Sequence, residues 1–187
     1  NRVEALKIIL NAANIDAASA TRKAPFSDIA QDQWYAPFLN KAYDLGIVEG
    51  YADGAFKPTQ TVNLVENLKM LLATYKIDLS AVTVSSNIYA DAFADQWYAK
   101  YVQYAKDKKL IVADAENMIY PGQGMTRGKL AELAYRLIYI TENDLEYFGQ
   151  VVSVEDLPTP PSGRDDTLQV NISATSFSVP DLLVPLG

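Results

Sequence analysis

The sequence predicts a mainly α fold built from repeated helix-loop-helix units. Trp34 and Tyr35 recur as Trp97 and Tyr98, and the matches around them keep a constant shift of 63 residues without insertions. A fixed shift of this kind is typical of a duplicated structural unit. Apolar residues at spacings of three and four and two Asn-x-x-Glu helix starts support the helical assignment. We expect function where the repeats meet.

An apolar stripe at helical spacing follows each Trp-Tyr pair, in the first copy at Trp34, Phe38, Ala42 and Leu45. Asp32 is predicted to cap this helix and Gly46 to end it. The second copy starts its stripe at Trp97, but Lys109 replaces the glycine. The pattern predicts that most of each tryptophan ring packs in the core.

The second helix of each unit opens with a capping signal, and these signals are Asn1 with Glu4, Asn63 with Glu66, and Thr126 alone. In a capping box each side chain satisfies a free backbone N–H of the other residue. Lys129 stands where a third glutamate would close the box, and it cannot accept that bond. We assign both glutamates to capping and not to a ligand.

The chain divides into three units and a tail: residues 1–25 as the second half of a truncated repeat, 26–87 and 88–141 as two repeats, and 142–187 as a linker and tail. Five helices are therefore expected. Proline-rich residues 158–163 predict the linker, and alternation over residues 168–173 predicts a half-buried β-strand. Asn171 fits a glycosylation sequon, but a strand residue facing water is the preferred interpretation.

Composition excludes several classes of function. The 187 residues carry a net charge of −7, and the basic residues form no run that could neutralise a phosphate backbone, which argues against nucleic acid. There is no His and no Cys, so the commonest general base and zinc ligands are missing. We expect no enzymatic activity, no cofactor and no metal. No apolar run approaches the roughly 20 residues of a membrane span, and the first residues lack a signal-peptide layout.

Both repeats carry their motifs in the same order. The first repeat has Phe26-Ser27-Asp28, Trp34-Tyr35, the loop from Gly46 to Pro58 and a capped helix. The second repeat has Tyr89-Ala90-Asp91, Trp97-Tyr98, Pro121 and Thr126-Arg127. This order resembles the S-layer homology (SLH) domain family over residues 1 to about 140. The resemblance implies a pseudo-threefold bundle of helices with a truncated first repeat. It also implies a non-catalytic, extracellular anchoring module of an S-layer or surface protein at the cell wall.

The resemblance further implies that grooves between repeats bind a cell-wall glycan, either a secondary cell-wall polymer such as a pyruvylated one, or peptidoglycan. The ligand-binding residues it implies are Arg2, Asp28, Trp34, Asp91, Trp97 and Arg127. Leu64 departs from the family's arginine. The changes at Leu64, Lys109 and Lys129 erode two of the expected grooves, and the net charge is acidic. The alternative is therefore a structural or assembly module that contacts protein, such as other surface-layer subunits.

Each candidate residue type has a second interpretation. An arginine at a helix start sits beside free N–H groups and the positive end of the helix dipole, where a carboxylate can bind, but it can also be a solvated surface residue. Asp28 and Asp91 can accept sugar hydroxyls or bond to backbone N–H groups. Should the tryptophans be buried, the aromatic alternatives are Tyr35, Tyr51 and Tyr98. The pairs Asp28 with Asp32 and Asp91 with Asp95 could suggest a glycosidase, but their spacing fits a helix entry equally well.

Overall fold

The computed structural model describes residues 1–150. Within them the chain forms helices α1 (Arg2–Ala12), α2 (Ala36–Asp44), α3 (Leu64–Thr74), α4 (Ala99–Asp107) and α5 (Arg127–Glu142), with strands β1 (Asn87–Tyr89) and β2 (Ala92–Phe93) paired antiparallel. Five helices and one small hairpin confirm the mainly α class. The predicted linker at 158–163, the strand at 168–173 and Asn171 lie outside the described residues.

Helix α1 lies at the centre of the packing. It contacts α2, α3 and α5, while α4 packs against α3. The first helix of each repeat thus packs on the second helix of the preceding unit, α2 on α1 and α4 on α3. The side chains at these contacts are fully buried, among them Leu6, Ile9, Leu39, Leu68, Leu71, Val102 and Leu137. The units therefore share one apolar core.

The predicted start of the first helix in each repeat is wrong. Helix α2 begins at Ala36, and its N-cap is Tyr35 without a side-chain cap bond, so Asp32 does not cap it. Ala36 N–H donates to the Gln33 carbonyl at 3.0 Å, which places Trp34 in a turn before the helix. Pro37 in the first helical turn fits this start. The N–H groups of the first turn have no partner within the helix, so a proline there removes no helical hydrogen bond. Leu45 follows the helix and is exposed.

The second helices begin as predicted. The Asn1 and Asn63 side chains accept from the Glu4 and Glu66 N–H groups at 3.1 and 2.9 Å, and both capping boxes are closed. Thr126 accepts from the N–H of Lys129 at 3.2 Å, without a reciprocal bond. The assignment of both glutamates to capping is confirmed.

The five helices described end in one way, with a left-handed residue at Asn14, Gly46, Lys76, Lys109 and Asp144. The next residue, always Ile or Leu, donates its N–H to a carbonyl five residues back, as Ile77 does to Leu72 at 3.0 Å. This is the Schellman motif with its apolar contact. Of these five residues, only Gly46 is a glycine from which the sequence predicts the motif. Lys109 keeps the left-handed backbone of the glycine it replaces, with φ of 54°.

Lys76→Gly is expected to raise the free energy of unfolding by about 1 kcal/mol, because glycine adopts positive φ without the Cβ penalty. Lys76 has φ of 52°, and its exposed side chain makes no hydrogen bond or ion pair within residues 1–150. Urea unfolding followed by circular dichroism measures the change. Lys76→Ala is the control, since it removes the side chain and keeps the Cβ. Equal stabilisation by both variants would contradict the backbone explanation.

Candidate ligand-binding seams

Asp28 and Asp91 each hold a distant loop through backbone bonds. The two carboxylate oxygens of Asp28 accept from the N–H groups of Phe56 and Lys57 at 2.8 and 2.7 Å. Asp91 repeats this with Ile119 and Tyr120 at 3.0 and 2.7 Å. The sequence left open whether these aspartates bind sugar hydroxyls or backbone N–H groups, and the geometry matches bonding to the backbone. The bonded N–H groups lie 28 or 29 residues away and not within a short turn.

The same loops close the N-terminal ends of the preceding second helices. The first two N–H groups of α1, on Arg2 and Val3, donate to carbonyls of residues 60 and 58 at 3.0 and 3.2 Å. Those of α3, on Leu64 and Val65, donate to carbonyls of residues 123 and 121 at 3.1 and 3.4 Å. These backbone donors would otherwise be available to an anion at a helix start. At α1 and α3 they are already used within the protein.

We call the meeting of two second-helix N-termini a seam. At the α1/α3 seam, Arg2 is only 9% exposed, and its Nη1 lies 3.4 Å from Oε1 of Glu66. The guanidinium carbon lies 4.9 Å from the ring centroid of Tyr51 and 4.7 Å from that of Phe56. The Tyr51 hydroxyl donates to the same glutamate oxygen at 3.4 Å. Arg2 therefore fills this seam between two rings and a carboxylate.

The α5/α1 seam carries a second ion pair of the same kind. Arg127, the first residue of α5, donates to Glu4, the third residue of α1. Partial desolvation is the largest single influence on Glu4 and raises its pKa, but the hydrogen bonds and positive charges of Arg127 and the N-terminal amine together outweigh it, so the pKa lies below its usual value. Unlike Arg2, the Arg127 side chain is 73% exposed. Both arginines thus pair with glutamates of a neighbouring unit, a use that the sequence reasoning did not foresee.

The α3/α5 seam has neither partner of that ion pair. Leu64 stands at the first position of α3 and Lys129 at the third position of α5. Both line a groove of about 220 Å³, together with Ile119, Tyr120, Leu133 and Arg136. The Tyr120 hydroxyl donates to Asp114 at 2.6 Å, which lowers the pKa of Asp114 and raises that of Tyr120. This seam is open where the α1/α3 seam is filled.

Trp34 and Trp97 are exposed, so the prediction that most of each ring packs in the core is wrong. Their exposed fractions are 53% and 58%, because both lie in the turn before the helix. Each ring contacts the following tyrosine edge-to-face, with centroids 5.5 Å apart. Lys7 of α1 places its Nζ 5.2 Å from the Trp34 ring centroid. Two equivalent aromatic surfaces therefore face solvent at equivalent places in the repeats.

A sequence model of the S-layer homology domain family matches residues 25–63 and 88–131. These two segments are S-layer homology domains. Such domains are non-catalytic modules that anchor proteins at the cell surface, which places this chain at the surface as expected. Each match covers one Trp-Tyr pair and one aspartate-held loop, the features that the structure repeats.

Curated relatives include an endoglucanase of Bacillus sp. (strain KSM-635), 27% identical over 127 residues. Others are an amylopullulanase of Thermoanaerobacterium thermosulfurigenes, 27% identical over 142 residues, and the exoglucanase XynX of Acetivibrio thermocellus, 28% identical over 115 residues. The matches cover 68%, 73% and 62% of this chain but only 13%, 7% and 10% of the relatives. The chain thus matches a small part of each of these proteins.

Two further features of residues 1–150 concern membranes and metal ions. None of the helices within residues 1–150 combines the length and apolar character needed to cross a bilayer. Across the same residues, no group of three or more acidic side chains is arranged to hold a metal ion.

The sequence reasoning named the residues that distinguish the three seams but did not pair them across units. Arg2 and Glu66 lie 64 positions apart, and Arg127 and Glu4 lie 123 apart. The signal available was the joint loss of arginine at Leu64 and of glutamate at Lys129, the two positions that face the same seam. This joint loss identifies Leu64 and Lys129 as partners once the order of the helices around the seams is known.

Proposed function

We propose that this chain is an anchoring module that binds cell-wall glycan at the surface, with the exposed rings of Trp34 and Trp97 as its sugar-contacting faces. One observation carries the proposal: two S-layer homology segments present an exposed tryptophan at the same position. A half-exposed indole offers apolar area that a sugar ring can cover, with a favourable free energy of roughly 25 cal/mol per Å² of buried apolar surface.

The remaining candidate residues divide by their contacts. Arg127 is exposed and adjacent to α1, so we propose it as a ligand contact that would exchange its bond to Glu4 for one to an anionic sugar. Arg2 is buried against Glu66, and Asp28 and Asp91 use both oxygens on backbone. Ligand contact by these three stays a prediction, and their geometry favours structural roles.

We also infer that units 1–25, 26–87 and 88–141 surround a common axis with approximate threefold symmetry. The seam contacts support this order. The first position of α1 meets the third position of α3, and the first position of α5 meets the third position of α1. Leu64 and Lys129 then complete the cycle at the α3/α5 groove.

Trp34→Ala and Trp97→Ala are each expected to weaken binding to purified cell-wall sacculi by about tenfold, because each variant removes roughly 1.4 kcal/mol of apolar contact. Cosedimentation measures the dissociation constant. The chain contains two tryptophans, so wild-type fluorescence reports contact at these rings directly. Tyr135→Ala, which removes a ring that is 46% exposed on α5, is the matched control.

Sacculi stripped of their anionic polymer provide the second arm. Binding that disappears after stripping supports a secondary cell-wall polymer as ligand, and unchanged binding supports peptidoglycan. If wild-type protein does not sediment with either preparation and instead self-associates, the anchoring proposal fails and the assembly alternative replaces it.

A further inference from the structure

One face of helix α5 is exposed, although the equivalent faces of α1 and α3 are covered. Helix α2 packs on α1 and α4 packs on α3. These second helices bury an equivalent apolar stripe, which consists of Val3, Leu6 and Leu10 in α1 and of Val65, Leu68 and Leu72 in α3. The equivalent residues of α5 are Gly128, Ala131 and Tyr135, and all three are exposed. Within residues 1–150, no helix packs on α5 as α2 packs on α1, so this face is free to contact a partner.

The exposed face of α5 has a half with small residues and a half with aromatic rings. Near the start of the helix, a Cβ added to Gly128 would meet no atom within 4 Å beyond its own helical turn, and Ala131 follows one turn later. Toward the end, the rings of Tyr135 and Tyr139 are 46% and 39% exposed, with centroids 5.9 Å apart. Phe148 contacts both rings edge-to-face, with centroids 6.2 and 5.9 Å away. A clustered aromatic surface of this kind marks an interaction site.

The two ends of α5 carry opposite charges. Arg127 at the start is 73% exposed, and its bond to Glu4 uses one of its five N–H donors. The backbone N–H groups of residues 127 and 128 donate to no backbone carbonyl within residues 1–150, unlike their equivalents at α1 and α3. Three exposed carboxylates at the other end form no ion pair in this part of the chain, namely those of Glu142, Asp144 and Glu146. With the helix dipole, the start of α5 is therefore positive and its end negative.

Two α5 helices that lie antiparallel around Tyr135 match these halves to each other. Residues at equal distances before and after Tyr135 then oppose each other, so Ala131 faces Tyr139 of the second copy. Gly128 likewise faces Glu142 of the second copy, and Arg127 lies beside that glutamate. Small side chains oppose large ones, as close packing of two helices requires, and the positive end opposes the negative end.

The exposed face also differs in chemistry from the surfaces that hold α2 and α4. On α1 and α3 the stripe consists of one valine and two leucines, whereas on α5 it consists of Gly128, Ala131 and Tyr135. The α5 face is therefore not a third copy of the surface on which a first helix packs.

We propose that α5 binds α5 of a second copy of this chain, in an antiparallel pair around a twofold axis. Both copies use the same surface in such a pair, so the contact between Arg127 and Glu142 occurs twice. Trp34 and Trp97 lie outside α5, so the pair forms without glycan and goes beyond the proposed function. One helix face is small beside the roughly 1,200–2,000 Å² of a stable interface, so the dimer is weak and reversible.

Sedimentation velocity of the full chain without glycan tests the pair. Wild-type protein is expected to be monomeric at about 1 μM and to form dimers at about 100 μM, as a small interface allows. Ala131→Glu places a carboxylate beside Tyr139 and Glu142 of the second copy and should weaken dimerisation by about tenfold or more. Asn11→Glu is the matched control, since it adds the same charge at an exposed position of α1. Cosedimentation with sacculi uses the monomeric range, in which Tyr135→Ala remains a valid control.

Charge reversal at the two ends of α5 identifies the partner. Arg127→Glu and Glu142→Arg each create like-charge contacts at both ends of their own dimer, so each should dimerise about tenfold more weakly than wild type. An equimolar mixture restores both opposite-charge contacts in a heterodimer, and dimerisation should return toward the wild-type level. Circular dichroism follows the folding of each variant. Because Arg127→Glu also lies near Glu4, Ala131→Glu decides the outcome should that variant not fold.

Three results would overturn the proposal. Wild-type protein that stays monomeric at about 100 μM would leave the α5 face to a different partner, such as another helix. A wild-type dimer that Ala131→Glu weakens no more than Asn11→Glu does would use another surface. A mixture of the two charge variants that dimerises no better than either variant alone would exclude the antiparallel contact. Weaker dimerisation of Ala131→Glu, with recovery in the mixture, supports the α5 pair.

Discussion

Glu66→Gln is expected to lower the free energy of unfolding by about 2 kcal/mol, because it leaves the Arg2 guanidinium buried without a counter-charge. Arg2 is 9% exposed and the Glu66 side chain 21%, so the pair is partly desolvated. Gln can still accept the capping bond at this position, which isolates the loss of charge. Urea unfolding monitored by circular dichroism gives the difference.

The exposed pair at the α5/α1 seam is the matched control. Glu4→Gln removes the same charge from the same helix position, but its partner Arg127 is 73% exposed. Exposed ion pairs contribute little to the free energy of unfolding, so we expect a smaller loss than for Glu66→Gln. Adding Arg2→Leu to Glu66→Gln should recover much of the stability, as Leu64 occupies the equivalent position at the α3/α5 seam. Equal losses in Glu66→Gln and Glu4→Gln would show that burial of Arg2 is not the cause.

Local signals predicted the second helices well. An Asn-x-x-Glu start is decided within four residues, so Asn63 and Glu66 form the capping box that the sequence indicates. The repeat shift of 63 residues also predicted that the loops would be equivalent, and Asp28 and Asp91 hold them identically. Features decided within a few neighbouring residues were therefore accessible without a structure, whereas the bonds of Asp28 and Asp91 to loops 28 or 29 residues away were not.

The first helices show where such reasoning stops. Helical spacing starts at Trp34, but the backbone there forms a turn, and periodicity cannot distinguish a turn from the first turn of a helix. The exposure of both tryptophans follows from that difference of two residues. The hairpin at β1 and β2 was missed because strands of three and two residues leave almost no alternation to detect.

The seams depend on contacts between units and were therefore least predictable. An arginine at a helix start suggests an anion site when α1 is considered alone. In the fold, loop carbonyls accept hydrogen bonds from the first backbone N–H groups of α1, and Glu66 forms an ion pair with the guanidinium of Arg2. The difference between a filled and an open seam depends on which side chains oppose each other across units. That information lies in paired positions and not in any one motif.

Asp28→Ala is expected to lower the free energy of unfolding by about 3 kcal/mol, because two bonds from backbone N–H groups to a charged acceptor are lost together. The N–H of Phe56 would be left unpaired at the base of a loop whose Phe56 ring is fully buried. Asp91→Ala should cost a similar amount through Ile119 and Tyr120. Thermal and urea unfolding measure both variants.

Asp53→Ala is the control for removing a loop carboxylate. Asp53 belongs to the same loop, bonds the Ala55 N–H at 3.0 Å, and its side chain is 54% exposed, so its loss should be well under that of Asp28. The two interpretations of Asp28 then separate cleanly. If Asp28→Ala unfolds at the same urea concentration as wild type but no longer binds sacculi, Asp28 is a ligand contact. Loss of stability, with binding retained at low temperature where the variant is folded, assigns it to the loop.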